Sequence, residues 1–298
     1  MNDQEVELIR SRFSITEDDF ELMYKQAELL TFSGVKPAEG RPTAVFTGGQ
    51  PGAGKTGIVL MTKQEYEKRG SDVISFDLDF YRSFYKNAGI IARDYPALYA
   101  DITGKYAGKI MERLSEKAIN ERYNFILEGT MGKSTYTLDL LKEKNTDFNI
   151  IARLMATSKE ESLLSVFERY IEMRKRMGVG RLTTVSSHNN KYDSFTDTAS
   201  RLENKGIEVE VYERSINSED IARPIMIYKT SSKVNLYSSA ERALQAGRNN
   251  SRKICLKKAN ERLKSIKNDI ELYKDDEGLL IEFKKAEAII KQELEVSI

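Results

Sequence analysis

Cysteine and histidine occur once each in the 298 residues, as Cys255 and His188. A single cysteine excludes an internal disulfide and any cysteine-based zinc site. No apolar run approaches the length of a membrane span, and the opening residues, MNDQEVELIR, are acidic with no apolar signal core. Charge of one sign is lacking as well: 47 Lys and Arg face 46 Asp and Glu, a formal net charge of +1. That balance gives no electrostatic reason to expect a nucleic-acid or membrane partner. Together these absences lead to the expectation of a soluble cytoplasmic protein. Proline is scarce, five in all, and none follows Pro224. What the chain does hold is apolar material, 40% of residues, enough for one large domain plus an appendage or two small domains.

The most informative stretch is Gly49-Gln50-Pro51-Gly52-Ala53-Gly54-Lys55-Thr56, which fits the phosphate-binding pattern G-x-x-x-x-G-K-[ST]. Its flanks fit too. TAVFT (Thr43 to Thr47) reads as a buried strand and GIVLMTKQEYEKR as a helix. Glycines let backbone N–H groups turn toward phosphate oxygens with no Cβ in the way. The helix that follows offers its positive end to the same anion. In that pattern Lys55 reaches the outer phosphates of ATP or GTP, and the Thr56 hydroxyl holds Mg²⁺.

Further along, DVISFD (72–77), YNFILE (123–128), FNIIARLM (148–155) and IEVEVY (207–212) read as strands, with PIMIY (224–228) as an edge strand. Helical stretches such as 105–121 and 135–144 lie between them. The alternation predicts an α/β fold of the P-loop NTPase type, a parallel sheet flanked by helices. Thr16 begins a helix with acids in its first turn, and Ser158 with Glu161 forms a capping box, S-x-x-E. The tail differs. Leu256, Ala259, Leu263, Ile266, Ile270 and Tyr273 make a heptad-like stripe, KDDEG interrupts it, and Leu280, Phe283, Ala286 and Ile290 make a second apolar face. This predicts a C-terminal helical hairpin, packed on the core or meeting a partner. The division expected is a P-loop kinase domain over 1–237, including the N-terminal helix, and a helical extension over 238–298.

Ligands in such sheets bind at the carboxyl ends of strands, so polar residues there are candidates. Asp77 and Asp79 follow the second strand directly. They suit a proton acceptor and a Mg²⁺- or water-ordering acid, or else they cap the next helix. Glu128 ends the third strand, where it suits a Mg²⁺-linked carboxylate or a capping turn. A basic run from Arg169 to Arg181 reads as a lid folding over a transferring phosphoryl group, or as a solvated helix. His188, in SSHNNKYDS, reads as a surface residue with no catalytic role.

In this order, GGQPGAGKT, the strand ending in DxDxxR (Asp77, Asp79, Arg82), ILEGT, FERY and a loop arginine resemble the zeta toxin family, over about residues 40–215. The resemblance implies a P-loop kinase that moves the γ-phosphate of ATP or GTP to the 3′-hydroxyl of UDP-N-acetylglucosamine, in a bacterial toxin–antitoxin pair with a small helical antitoxin. It implies that Lys55 and Thr56 meet phosphate and Mg²⁺, that Asp79 is the catalytic base, and that Arg169 and Arg181 contact the phosphates. It places Glu128 at the metal and, with Thr130, Arg82 and Glu112, near the sugar nucleotide. One departure is evident: the family commonly reads E-G-T-x-R, and here Gly132 stands in the arginine's place, followed by Lys133, a point charge rather than a fork. Other readings of the same residues are a kinase of this fold acting on another hydroxyl (NAD, an antibiotic, a nucleotide or a polynucleotide end) and a nucleotide-gated protein whose tail docks a partner.

Overall fold

The computed structural model describes residues 3–129, 136–143, 147–178, 180–195, 197–214 and 223–296. The short apolar runs form six strands: β1 (Thr43–Gly48), β2 (Ile74–Phe76), β3 (Phe125–Glu128), β4 (Asn149–Met155), β5 (Glu208–Arg214) and β6 (Pro224–Lys229). The helices are α1 (Asp3–Arg12), α2 (Glu17–Phe32), α3 (Lys55–Lys68), α4 (Leu78–Arg82), α5 (Ala88–Asp94), α6 (Pro96–Asn120), α7 (Tyr136–Glu143), α8 (Lys159–Met177), α9 (Val185–Ser194), α10 (Thr198–Asn204), α11 (Ala240–Ile270) and α12 (Glu277–Val296). No described helix is long and apolar enough to cross a membrane.

The strands join in one sheet of order β2-β3-β1-β4-β5-β6. All pairs are parallel except β5 with β6, which runs antiparallel at the edge. Helices cover both faces, so β1 is buried from Ala44 to Gly48; this is why its sequence is a continuous apolar run rather than an alternation. Pro224 opens the edge strand, where its missing N–H does no harm.

Some boundaries differ from those expected. The second strand is only three residues long, because Asp72 spends its carboxylate on the Lys36 amide and Asp77 caps α4. The helix expected from residue 105 begins at Pro96, which occupies the first turn, where no amide hydrogen bond is lost. Thr16 and Asp19 form a full capping box. The Ser158 box is only half made: Ser158 Oγ accepts from the Glu161 amide, but the Glu161 carboxylate pairs with Arg214 and Arg262.

The C-terminal hairpin forms, and it belongs to two cores. Ala240, Ala243 and Leu244 of α11 join the main core around the sheet. Cys255, Ala259, Leu263, Ile266 and Ile270 of α11, with Leu279, Phe283, Ala286 and Ile290 of α12, make a second core with Leu163, Phe167, Tyr170 and Ile171 of α8. Each fully buried Leu, Ile or Phe among them is worth about 1.5–3 kcal/mol against exposure. The stripe is rotated slightly from the expected one, with Cys255 buried and Leu256 only partly so.

Inside the sheet, Arg153 of β4 is 6% exposed. It bonds Glu210 (2.9 Å), Glu65 (2.8 Å) and the Thr62 hydroxyl (2.6 Å). Arg153→Met strands the buried Glu210 with only Lys229 and Tyr212 for company. The expected loss is about 3–5 kcal/mol of unfolding free energy, read from the urea midpoint.

Candidate active site

The glycine loop leaves the end of β1, the strand flanked by both β3 and β4. Crossovers diverge there, and a crevice opens at the carboxyl edge of the sheet. Gly52 has a φ of 77°, and a Cβ on it would lie 2.0 Å from the Ser162 carbonyl oxygen. Only glycine lets the loop rest so closely on α8. The Gln50 amide nitrogen donates to the Thr157 carbonyl (2.8 Å) and to Ser162 Oγ (3.0 Å), while the Thr157 hydroxyl donates to the Ala53 carbonyl (2.7 Å). The loop is thus stitched to the β4–α8 junction before any ligand arrives.

Beside the loop lies a cleft of about 460 Å³ that brings together Lys55, Asp77, Asp79, Arg82, Glu112, Glu128, Arg169 and Arg181. Lys55 opens α3, and its ammonium donates to the carbonyls of Gly49 (3.1 Å) and Gln50 (3.3 Å). Burial lowers its pKa to about 8, against the opposing pull of Glu128. Glu128, level with Thr47 in the sheet, has its carboxyl pushed upward: burial dominates, Lys55 opposes, and Asp77 and Asp79 add to the rise.

The two aspartates after β2 part company. Asp77 Oδ1 accepts from the Asp79 amide (2.9 Å) and caps α4. Asp79, its side chain 52% exposed, faces the cleft and takes Arg181 Nη1 at 2.8 Å and Arg82 Nε at 3.2 Å. Arg82 is anchored behind it, donating to the Ala100 carbonyl (2.6 Å) and the Thr103 hydroxyl (3.0 Å) of α6. Arg169, on α8, reaches the cleft and has no ion pair among the described residues. Thr56 is exposed in the first turn of α3. Thr130 lies outside the described residues. Thr56 and Glu128 offer the hard oxygen donors that Mg²⁺ prefers. Among the described residues no cluster of three acids, histidines or cysteines could hold a metal, so Mg²⁺ here would take its other ligands from phosphates and water.

Two residues lining this site escaped the sequence reading, and a third was placed wrongly by it. Lys191 of α9 and Tyr136 of α7 line the cleft; nothing local in their segments marks them. His188 corrects an expectation: it is fully buried, not superficial. Its Nε2 lies 2.9 Å from Ser162 Oγ, the same hydroxyl that receives Gln50. Burial lowers its pKa, which keeps the ring neutral. The polar run around it hid the one helix face that turns inward.

A pH dependence follows from Lys55. Its folded pKa lies below the unfolded value, so the ammonium costs the empty fold stability below about pH 8, and that cost fades as pH rises toward 10.5. Phosphate binding needs the charged form. Nucleotide affinity, measured by equilibrium binding, is expected to fall as pH is raised from 7 to 9, and Lys55→Met is expected to flatten that slope.

The zeta toxin family model matches residues 26–242. Among curated proteins, the toxin PezT of Streptococcus pneumoniae is 29% identical over 187 residues, 60% of this chain and 71% of PezT. A zeta toxin of Streptococcus agalactiae is 29% identical over 163 residues, 53% of this chain and 54% of that toxin; the match thus spans about half of the zeta toxin's length. Among solved structures, a chain from the PezAT chromosomal toxin–antitoxin system of Streptococcus pneumoniae superposes with a TM-score of 0.70 at 23% identity, covering 85% of this chain and 98% of that one. A complex of AvrRxo1-ORF1 and ORF2 with ATP gives 0.50 at 13% identity, covering 77% of this chain and 70% of that one. Both superpositions speak for the fold.

Proposed function

The chain belongs to the zeta toxin family, and from that premise we propose that it is a phosphotransferase that moves the γ-phosphate of ATP or GTP to the 3′-hydroxyl of UDP-N-acetylglucosamine. The observation that carries the reading is the meeting, in one cleft, of the phosphate-loop Lys55 with an accessible carboxylate, Asp79, and two arginines on α8 and the loop after it.

The roles follow from charge and placement. Residues 49–56 cradle the triphosphate through backbone amides. Lys55, Arg169 and Arg181 balance the charge that spreads over the transferring group. Asp79 orients the acceptor hydroxyl and takes its proton as the new oxygen–phosphorus bond forms. The bond from the γ-phosphorus to the bridging oxygen breaks, and the nucleoside diphosphate leaves. Mg²⁺, held through Thr56 and Glu128, would supply further charge neutralisation at the phosphates. Glu112 lines the α6 wall of the same cleft, where it would meet the sugar nucleotide, and Arg82 braces Asp79 from behind.

A curated relative, PezT, is named a toxin, and a superposing structure comes from a toxin–antitoxin system. We extend this to the present chain: a small helical antitoxin covers the nucleotide cleft and silences it.

The deciding experiment incubates the protein with γ-labelled ATP, Mg²⁺ and a panel of acceptors: UDP-N-acetylglucosamine, NAD, an aminoglycoside and a nucleoside monophosphate. Label in UDP-N-acetylglucosamine is the expected result. Label in another acceptor alone would overturn the substrate while keeping the kinase, and label in none would overturn both.

A further inference from the structure

Most of the hairpin lies beyond residue 242, where the family match ends. Most of its polar contacts run along α8, but two sets bracket one short segment, the connection between α8 and α9 that carries Arg181. On the α8 side, Gly180 lies against Tyr170: a Cβ at Gly180 would fall 3.0 Å from both the Tyr170 ring and its carbonyl oxygen. The Tyr170 hydroxyl in turn donates to Asp276 Oδ2 at 2.7 Å, at the turn of the hairpin. Arg174 joins the same carboxylate at 3.4 Å. On the α9 side, the Val185 amide donates to Glu282 Oε2 at 2.6 Å, in a buried contact. Val185 is the first residue of α9, capped by Thr184, so Glu282 of α12 places its charge on the amide end of that helix. Arg181 stands between these two anchors, four residues before Val185.

We propose that the hairpin is the frame that sets the reach of Arg181, with Glu282 as the positioning residue. Glu282 touches neither the cleft nor its ligands; it acts through Val185 and the strap of chain leading back to Arg181. Lys285 Nζ at 2.6 Å holds the other carboxylate oxygen, so the acid is fixed from its own helix while it grips its neighbour. An arginine that balances phosphoryl charge must be placed to within a fraction of an ångström. A loop held only by its own backbone would not achieve that.

The proposal rests on the kinase reading, and its test separates the two. Full-length Glu282→Ala, Glu282→Gln, Arg181→Ala and the Glu282→Ala/Arg181→Ala double variant are assayed with ATP, Mg²⁺ and UDP-N-acetylglucosamine, counting both γ-phosphate release and sugar-nucleotide product. Glu282→Ala is expected to lower kcat by about 10- to 100-fold while KM for ATP stays within about twofold. Glu282→Gln recovers most of the rate, because its amide oxygen accepts the same Val185 bond. In the Arg181→Ala background, Glu282→Ala costs nothing more, the coupling expected of residues that act as a unit. An undiminished kcat in Glu282→Ala, or an additive loss in the double variant, would overturn the proposal. If wild type releases phosphate but makes no sugar-nucleotide product, the acceptor reading fails and the same cycle is read on hydrolysis. A readout free of turnover runs alongside: trypsin cleavage after Arg181 is expected to be at least about tenfold faster in Glu282→Ala than in wild type. Equal cleavage rates would overturn the proposal even if no turnover is seen.

Discussion

Asp79→Asn is expected to bind nucleotide within about threefold of wild type and to transfer phosphate about 10²- to 10⁴-fold more slowly. The amide keeps the size of the acid and still accepts one bond from Arg181, but it cannot take a proton from an incoming hydroxyl. Asp79 is half exposed at the rim of the cleft, but it is also the acid paired with the buried Arg82; the asparagine oxygen still accepts from that guanidinium, so the thermal midpoint should fall only modestly. Asp77→Asn is the matching contrast. Asp77 spends its side chain capping α4, and asparagine caps as well as aspartate, so transfer should be nearly unchanged. Labelled-ATP transfer with parallel equilibrium binding reads both variants. Transfer by Asp79→Asn within tenfold of wild type would remove the base from the mechanism.

Arg169→Ala is expected to cost about a thousandfold in turnover, the scale seen when a transition-state arginine is lost. The structure makes this a clean test. Arg169 has no ion pair among the described residues, so its removal orphans no acid and should change unfolding free energy by less than about 0.5 kcal/mol. Arg169→Lys should restore only part of the rate, because an ammonium lacks the planar fork that meets two phosphate oxygens at once. Single-turnover kinetics with saturating ATP separates this loss from weakened binding. A kcat unchanged in Arg169→Ala would place this side chain outside the reaction.

What the sequence disclosed and what it concealed divide along physical lines. The phosphate loop is a local device: its glycines, lysine and threonine are neighbours in the chain, and the strand and helix beside them are short-range patterns. Asp79 and Glu128 were visible because a strand's end projects its next polar residue into the crevice. The sheet and the hairpin followed from periodicity. Arg169 and Arg181 emerged from a basic run whose meaning only the fold settles, since one helix face reaches the cleft while Lys175 pairs outward with Asp269. The burial of His188 and the parts played by Lys191 and Glu282 were hidden for the same reason. Each owes its place to which face of a helix meets which neighbour across dozens of residues, and a polar run such as SSHNNKYDS carries no apolar stripe to show that face. The half-made box at Ser158 belongs with them: the motif was right locally, and a distant arginine claimed its glutamate.

The two carbonyl contacts of the Lys55 ammonium bear on when its dehydration is settled. In solution a primary amine sheds bound water only as its anionic guest arrives, and that loss is subtracted from affinity. Here two backbone oxygens already stand in for part of that water, so part of the penalty has been moved into the making of the fold. A triphosphate entering the loop meets a cation that is ready for it, and trades weak neutral acceptors for charged ones.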